Sequence, residues 1–398
     1  MRHKVAALAV IAAAAWTTAP VLGGQATVAA PGARQPRPPS AARIAPLPES
    51  EWTAEQRAVV AKVAPAGATD PAIKTLVRLP ALVQALAPYT RYLTEESTLP
   101  PRVRHLLILR TAWLCGNDVV WSLHASGLPA AERRRVAQGV SASGWSEADQ
   151  ALLRTADELF RLSSVSDATW RAISAAYDLH GVMDIVETVN HFTVMSLLYN
   201  SIGIQVEGQA AERLPRDIPY LIAPGVREPA LRQARVAPAE GSGIAVSRTL
   251  ARHERLNAAR QPRAGFINRV SALMPRHREM LILRIGWDAQ SEYEWAQHVG
   301  SVGRARDYGL DPVRIAQGPE APGWDSFEQS LLRAADELYR DAMVSDATWK
   351  ALAARFDAPL LMSAVFTASS YRATSMALNA FGVQLEPNDE RFPKLPGR

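Results

Sequence analysis

The octapeptide Leu152-Leu153-Arg154-Thr155-Ala156-Asp157-Glu158-Leu159 returns 179 residues later as Leu331-Leu332-Arg333-Ala334-Ala335-Asp336-Glu337-Leu338. In both places the apolar positions (Leu152, Leu153, Ala156, Leu159; Leu331, Leu332, Ala335, Leu338) fall at helical spacing, and charged residues fill the opposite face. Strand-like alternation is scarce in the rest of the chain. The fold class expected is therefore all-α, built from two tandem helical domains.

Other segments recur with it. LILR occupies Leu107 to Arg110 and again Leu281 to Arg284, an offset of 174, which also aligns Thr75-Leu76 with Thr249-Leu250, Trp121 with Trp295 and His124 with His298. Downstream, AQG, GW, LLR, ADEL and VSDATW recur at an offset of 179, so the second copy carries five extra residues between His298 and Gly309. The first domain is read as 52–208, the linker as 209–234 and the second domain as 235–398. In VSDATW, Ser166 or Asp167 and Ser345 or Asp346 can cap the helices that carry Trp170 and Trp349. The repeated Trp and ADEL positions read as core and helix-start residues.

Composition narrows the function classes. The chain has 398 residues, 48% hydrophobic and 21% charged, enough for two globular cores. A formal charge of +5 arises from 44 bases interleaved with 39 acids, so no nucleic-acid stripe is expected. Arg2, His3 and Lys4 precede an apolar run from Val5 to Trp16, and small residues follow to Ala30. Residues 1–30 therefore read as a secretory signal peptide cleaved near Ala29 or Ala30, with an extracytoplasmic mature protein that leaves the membrane. Residues 31–51, rich in Pro, Ala and Arg, read as an extended tether. With Cys115 as the single cysteine, neither an intramolecular disulfide nor a CxxC pair can form.

The chemistry-bearing cluster lies in the second copy. Glu294 and His298 stand at i and i+4 on a helix opening at Ser291, so their side chains share a face. Glu279 lies on the preceding helix, where an antiparallel hairpin can bring it to the same place. Carboxylates beside an imidazole in a half-buried pocket suit proton transfer without a cofactor. Three plainer readings compete. Ser291-x-x-Glu294 is also a capping box, His298 would serve as an interfacial histidine, and Glu279 could pair with Arg284 or Arg278. The same residue types would also suit a metal, but one His with two carboxylates discriminates poorly between ions, and neither metal nor cofactor is expected.

Glu279, eleven intervening residues, Ser291, Glu294 and His298 together resemble the carboxymuconolactone decarboxylase family, which also holds the alkylhydroperoxidase AhpD proteins. Their peroxidase branch carries Glu-x11-Cys-x2-Cys-x3-His; here Ser291 and Glu294 stand at the two cysteine places. The resemblance covers both copies, including the LILR, GW, ADEL and VSDATW segments and the similar ends Asn200 to Glu207 and Asn379 to Glu386. It implies AhpD-like all-α domains whose pocket forms between helices of neighbouring subunits, here an intramolecular pseudo-dimer or a homo-oligomer. The first copy departs further: His105, Asn117, Asp118 and Val120 replace Glu279, Ser291, Glu292 and Glu294, and His124 alone remains. It reads as a scaffold, or as a donor of pocket wall through His105, Trp121 and His124.

These readings lead to a cofactor-free lyase or isomerase acting on a small carboxylated or enolisable compound. Glu279, Glu294 and His298 are its candidate catalytic residues, and Tyr293, Trp295, Arg284 and His124 its candidate substrate contacts. The alternatives are a hydroperoxidase and a non-catalytic binding or assembly module.

Overall fold

A computed structural model describes residues 34–64, 71–208, 212–223 and 225–395; the signal peptide read at 1–30 lies outside them. The first half contains α1 (Ala54–Val63), α2 (Pro71–Leu76), α3 (Pro80–Arg91), α4 (Pro101–Leu114), α5 (Asp118–His124), α6 (Ala130–Gln138), α7 (Glu147–Leu162), α8 (Asp167–Ala176) and α9 (Leu179–Ile202). The second contains α10 (Ala245–Leu250), α11 (Glu254–Gly265), α12 (Pro275–Asp288), α13 (Glu292–Val299), α14 (Pro312–Gln317), α15 (Ser326–Asp341), α16 (Asp346–Ala353) and α17 (Ala358–Phe381). All regular elements among the described residues are helical, so the fold is all-α. The starts of α10 to α13 follow those of α2 to α5 by 174 residues, and those of α15 to α17 follow α7 to α9 by 179. No helix among the described residues is long and apolar enough to cross a membrane.

The repeated motifs converge on one hydrogen-bonded clamp in each half. Arg110 of LILR donates from Nε and Nη2 to both carboxylate oxygens of Asp157 in ADEL, at 2.6 and 2.9 Å. Its remaining hydrogens reach the carbonyls of Val136, Ala137 and Leu221. Arg284 makes a related clamp: Nε meets Asp336 Oδ1, Nη1 meets the carbonyls of Ile315 and Ala316, and Nη2 lies 3.4 Å from Asp288. The guanidinium plane lies against Gly139 or Gly318, where an added Cβ would meet it at 2.8 Å and 3.2 Å respectively. The next ADEL residue, Glu158 or Glu337, accepts from the serine and threonine of VSDATW. Ser166 and Ser345 are the helix caps, not the following aspartates. Trp145 and Trp324 donate to the Gly139 and Gly318 carbonyls, so AQG and GW close the same clamp.

Helices α9 and α17, almost wholly buried, pack against each other where the halves meet. Asn200 bridges the carbonyls of Cys115 and Ala342, and Asn379 those of Ala289 and Ser163, so each amide ties its own half to the other. The stretch read as a tether is extended and hydrogen-bonded to the body from Gln35 onward. Arg43 crosses to the Val344 carbonyl, Asp346 and the Trp349 ring, while Arg235 crosses to Val165, Asp167 and Trp170. Register with the α9 and α17 ends is set by Gln205 on the Pro39 carbonyl and Gln384 on that of Leu231.

The two clamps differ in burial. Arg110 and Asp157 are at most 1% exposed, whereas the Arg284 and Asp336 side chains are 12% and 19% exposed. Removing one partner of a buried pair strands a charge at roughly 3–5 kcal/mol. Asp157→Ala should therefore destabilise by about that amount and Asp336→Ala by less, because Arg284 is less buried and keeps Asp288, as urea unfolding would measure. Equal losses would show that neither burial nor the second carboxylate sets the clamp's worth.

Candidate active site

Helix α12 is followed by a turn with Gln290 in the left-handed region (φ 53°), the place that Gly116 (φ 65°) fills in the first half. The chain then doubles back as α13. Ser291 starts that helix without a side-chain cap, and its buried hydroxyl has no partner. The capping box is therefore not formed, and Glu294 is free for another contact. Glu294 Oε1 meets His298 Nε2 at 2.9 Å, while His298 Nδ1 meets Glu279 Oε2 at 2.6 Å. Arg278 donates to Glu279 Oε1 at 3.1 Å. Arg278, Glu279, His298 and Glu294 thus form one row of alternating charge.

This row is dry. Glu279, Glu294 and His298 are 1%, 5% and 4% exposed. The added residues after α13 close over it. A Cβ on Gly303 would lie 2.3 Å from Glu279 Oε2 and 2.5 Å from the His298 carbonyl, so the loop fits only as glycine. Burial by itself would drive the proton off the imidazole. The carboxylates of Glu279 and Glu294 outweigh it and raise the His298 pKa to about 10. The ring is an imidazolium at neutral pH, with each N–H given to a carboxylate.

Beside the row lies a cavity of about 250 Å³ between α10, α11, α13 and α17. Glu294, His298, Tyr293 and Tyr371 reach it from one side, and Arg260 and Arg263 of α11 from the other. Pro262 removes one backbone N–H from α11, which widens into a π turn at Phe266–Val270, and Ile267 and Asn268 of that turn also line the cavity. Tyr371 stands edge-on to His298, ring centroids 4.9 Å apart. Burial, then the nearby Glu294 and Glu279, push its phenol pKa far up, so it is a neutral donor.

Of the other sequence candidates, Tyr293 lines the cavity, whereas Arg284, Trp295 and His124 lie elsewhere. Arg284 sits five positions beyond Glu279, about 140° round the helix, and is spent on its clamp. Trp295 packs against Trp287 and Phe392 on the far face of α13. Tyr293 accepts from the Val246 amide at 3.1 Å and forms a wall between this cavity and a wider hollow of about 770 Å³. In that hollow Arg235 pairs with Asp167 and Arg391 with Glu292, away from the histidine. His124 stays in the first half beside His105 and Phe192. There burial and then His105 lower its pKa to about 4, the reverse of His298. Sequence reading overlooked Tyr371, Arg260 and Arg263. Their signal is a difference between halves: the aligned residues are Phe192, Leu86 and Tyr89.

No family model matches this chain, and no curated protein does. Among solved structures, the chain is similar to the alkylhydroperoxidase AhpD core of an uncharacterized peroxidase-related protein from Ralstonia eutropha JMP134, at 17% identity and TM-score 0.33. That alignment spans 41% of this chain and 88% of the other.

Because the folded imidazole keeps its proton to higher pH than an unfolded one, its stabilisation is complete below the ordinary value of 6.5, declines above it and is gone past about 10. Unfolding free energy should fall by up to about 1.4 kcal/mol per pH unit in that window, and His298→Gln should remove this component. Identical pH slopes for the two proteins in urea titrations would exclude the charged ring.

Proposed function

We propose that the chain is a cofactor-free acid–base catalyst, a lyase or isomerase similar in chemistry to carboxymuconolactone decarboxylases, acting on a small carboxylated or enolisable compound. We take the two halves as diverged copies of one domain, with the second holding the reaction centre. With the secretory leader read at its start, it would work outside the cytoplasm. The observation that carries the proposal is the buried Glu279–His298–Glu294 row opening on one cavity.

In this reading the proton passes through Glu294. Both ring nitrogens of His298 are engaged, whereas Glu294 uses only Oε1 on the ring and leaves Oε2 for a ligand. Glu294 takes the proton from carbon or returns it, and the imidazolium, held by Glu279 and Arg278, balances the change of charge. An enolate formed opposite needs a hydrogen bond, which the neutral Tyr371 hydroxyl supplies. Of the three candidate catalytic residues, Glu294 is then the base and His298 a positioning residue.

A thiol-based peroxide reaction has less to stand on. Cys115 is fully buried, and burial pushes its pKa up to about 12, so the reactive thiolate is suppressed.

Solvent deuterium uptake at carbon, followed by NMR across a panel of small oxo acids and unsaturated lactone acids, tests the reading. Wild type should speed exchange of at least one compound, and Glu294→Gln should slow it by about 10²–10⁴-fold. Exchange by Glu294→Gln at the wild-type rate would refute the assigned role. Binding without any exchange would leave a binding module.

A further inference from the structure

Two cations face Glu294 across the cavity, and neither has a counter-ion. Arg263 is 3% exposed, its Nη1 is buried with no hydrogen-bond partner, and its guanidinium stands over the Tyr89 ring at 5.1 Å. Arg260, one turn earlier on α11, also lines the cavity with its Nε buried and unpaired. Among the described residues no carboxylate lies within ion-pair distance of either. Glu187, the acid whose field reaches Arg263, takes the Tyr89 hydroxyl at 2.7 Å instead. Burial accordingly lowers the Arg263 pKa. Elsewhere in this protein fully buried arginines have their terminal nitrogens anchored: Arg110 has both oxygens of Asp157, and Arg372, although its Nε is unpaired, gives Nη1 and Nη2 to the Leu338 and Phe160 carbonyls.

A guanidinium removed from water without hydrogen bonds is costly, and it is kept where a ligand completes it. The first half supports this, because Leu86 and Tyr89 occupy the aligned positions and the His298 counterpart there has lost both carboxylates. Cations and acid–base row occur together in one half and are absent together from the other. At about 250 Å³ the cavity is below the ~300 Å³ lower bound for drug-sized ligands, so the occupant is small.

We propose that Arg263 and Arg260 form an anion subsite that grips a carboxylate of a small organic acid and presents the rest of the molecule to Glu294 and Tyr371. This rests on the acid–base reading for the orientation of the substrate, but the anion grip is measurable without turnover. The two guanidiniums lining the cavity give charge-assisted hydrogen bonds to the carboxylate, which no neutral amide would accept equally well.

Titration calorimetry of the full chain with acetate, succinate and glutarate, each compared with its amide, tests the proposal. At least one carboxylate should bind about tenfold or more tightly than its amide, and Arg263→Met should lose at least about tenfold of that affinity. Because Arg263 has no ion pair to break, and losing its Tyr89 ring contact is offset by removing an unpaired buried charge, Arg263→Met should melt close to wild type, whereas a structural role would clearly lower its Tm. Glu294→Gln should keep the carboxylate affinity. Equal binding of acids and amides by wild type, or undiminished acid binding by Arg263→Met, would overturn the subsite. Arginine-dependent binding without deuterium exchange would uphold the subsite and reject the catalytic reading; exchange with arginine-independent binding would do the reverse.

Discussion

A guanidinium clamped by carboxylate and carbonyl oxygens orders each half of this protein. Arg110 and Asp157, or Arg284 and Asp336, lock the central helix α4 or α12 to α7 or α15, and surrounding carbonyls absorb the remaining hydrogens. Such pairs hold only when every donor is met. The clamp thereby sets the rotation of α12 about its axis. With Arg284 turned toward α15, Glu279 on the opposite side is turned toward α13, where His298 waits. Scaffold and site are two faces of one helix.

The halves show what the same helices do with different side chains. At matching positions, His124 is held neutral among His105 and Phe192, and His298 is held charged between Glu279 and Glu294. Burial acts on both rings in the same direction. Only the carboxylates decide the outcome, because a desolvated imidazolium needs an anion within hydrogen-bond reach. The polar lining changes with it: Tyr371 for Phe192, Arg263 for Tyr89 and Arg260 for Leu86.

Helical periodicity and recurring motifs made the all-α fold legible, because apolar spacing and serine or aspartate caps are local signals. ADEL and GW read only as core and helix-start residues, since the partner of Asp157 lies 47 residues away and that of Trp145 is a backbone carbonyl. The hairpin geometry of Glu279, Glu294 and His298 was legible from spacing alone. Other assignments needed coordinates. Arg284 looked like a substrate contact because a sequence cannot say which side of a helix faces a cavity. Arg260 and Arg263 drew no reading because α11 is polar for most of its length. Arg43 and Arg235 sit in Pro-rich stretches without periodicity, so nothing local announced that each reaches across to the other half.

The charge on His298 is the quantity on which the account turns. Nitrogen-15 NMR of the imidazole at neutral pH reads it directly, and His298→Gln supplies the assignment. The prediction is a ring protonated on both nitrogens through pH 8, with neither proton in rapid exchange with water. A neutral tautomer at pH 7, with one nitrogen unprotonated, would contradict the account, because a carboxylate on each side of a buried ring leaves no place for a bare nitrogen.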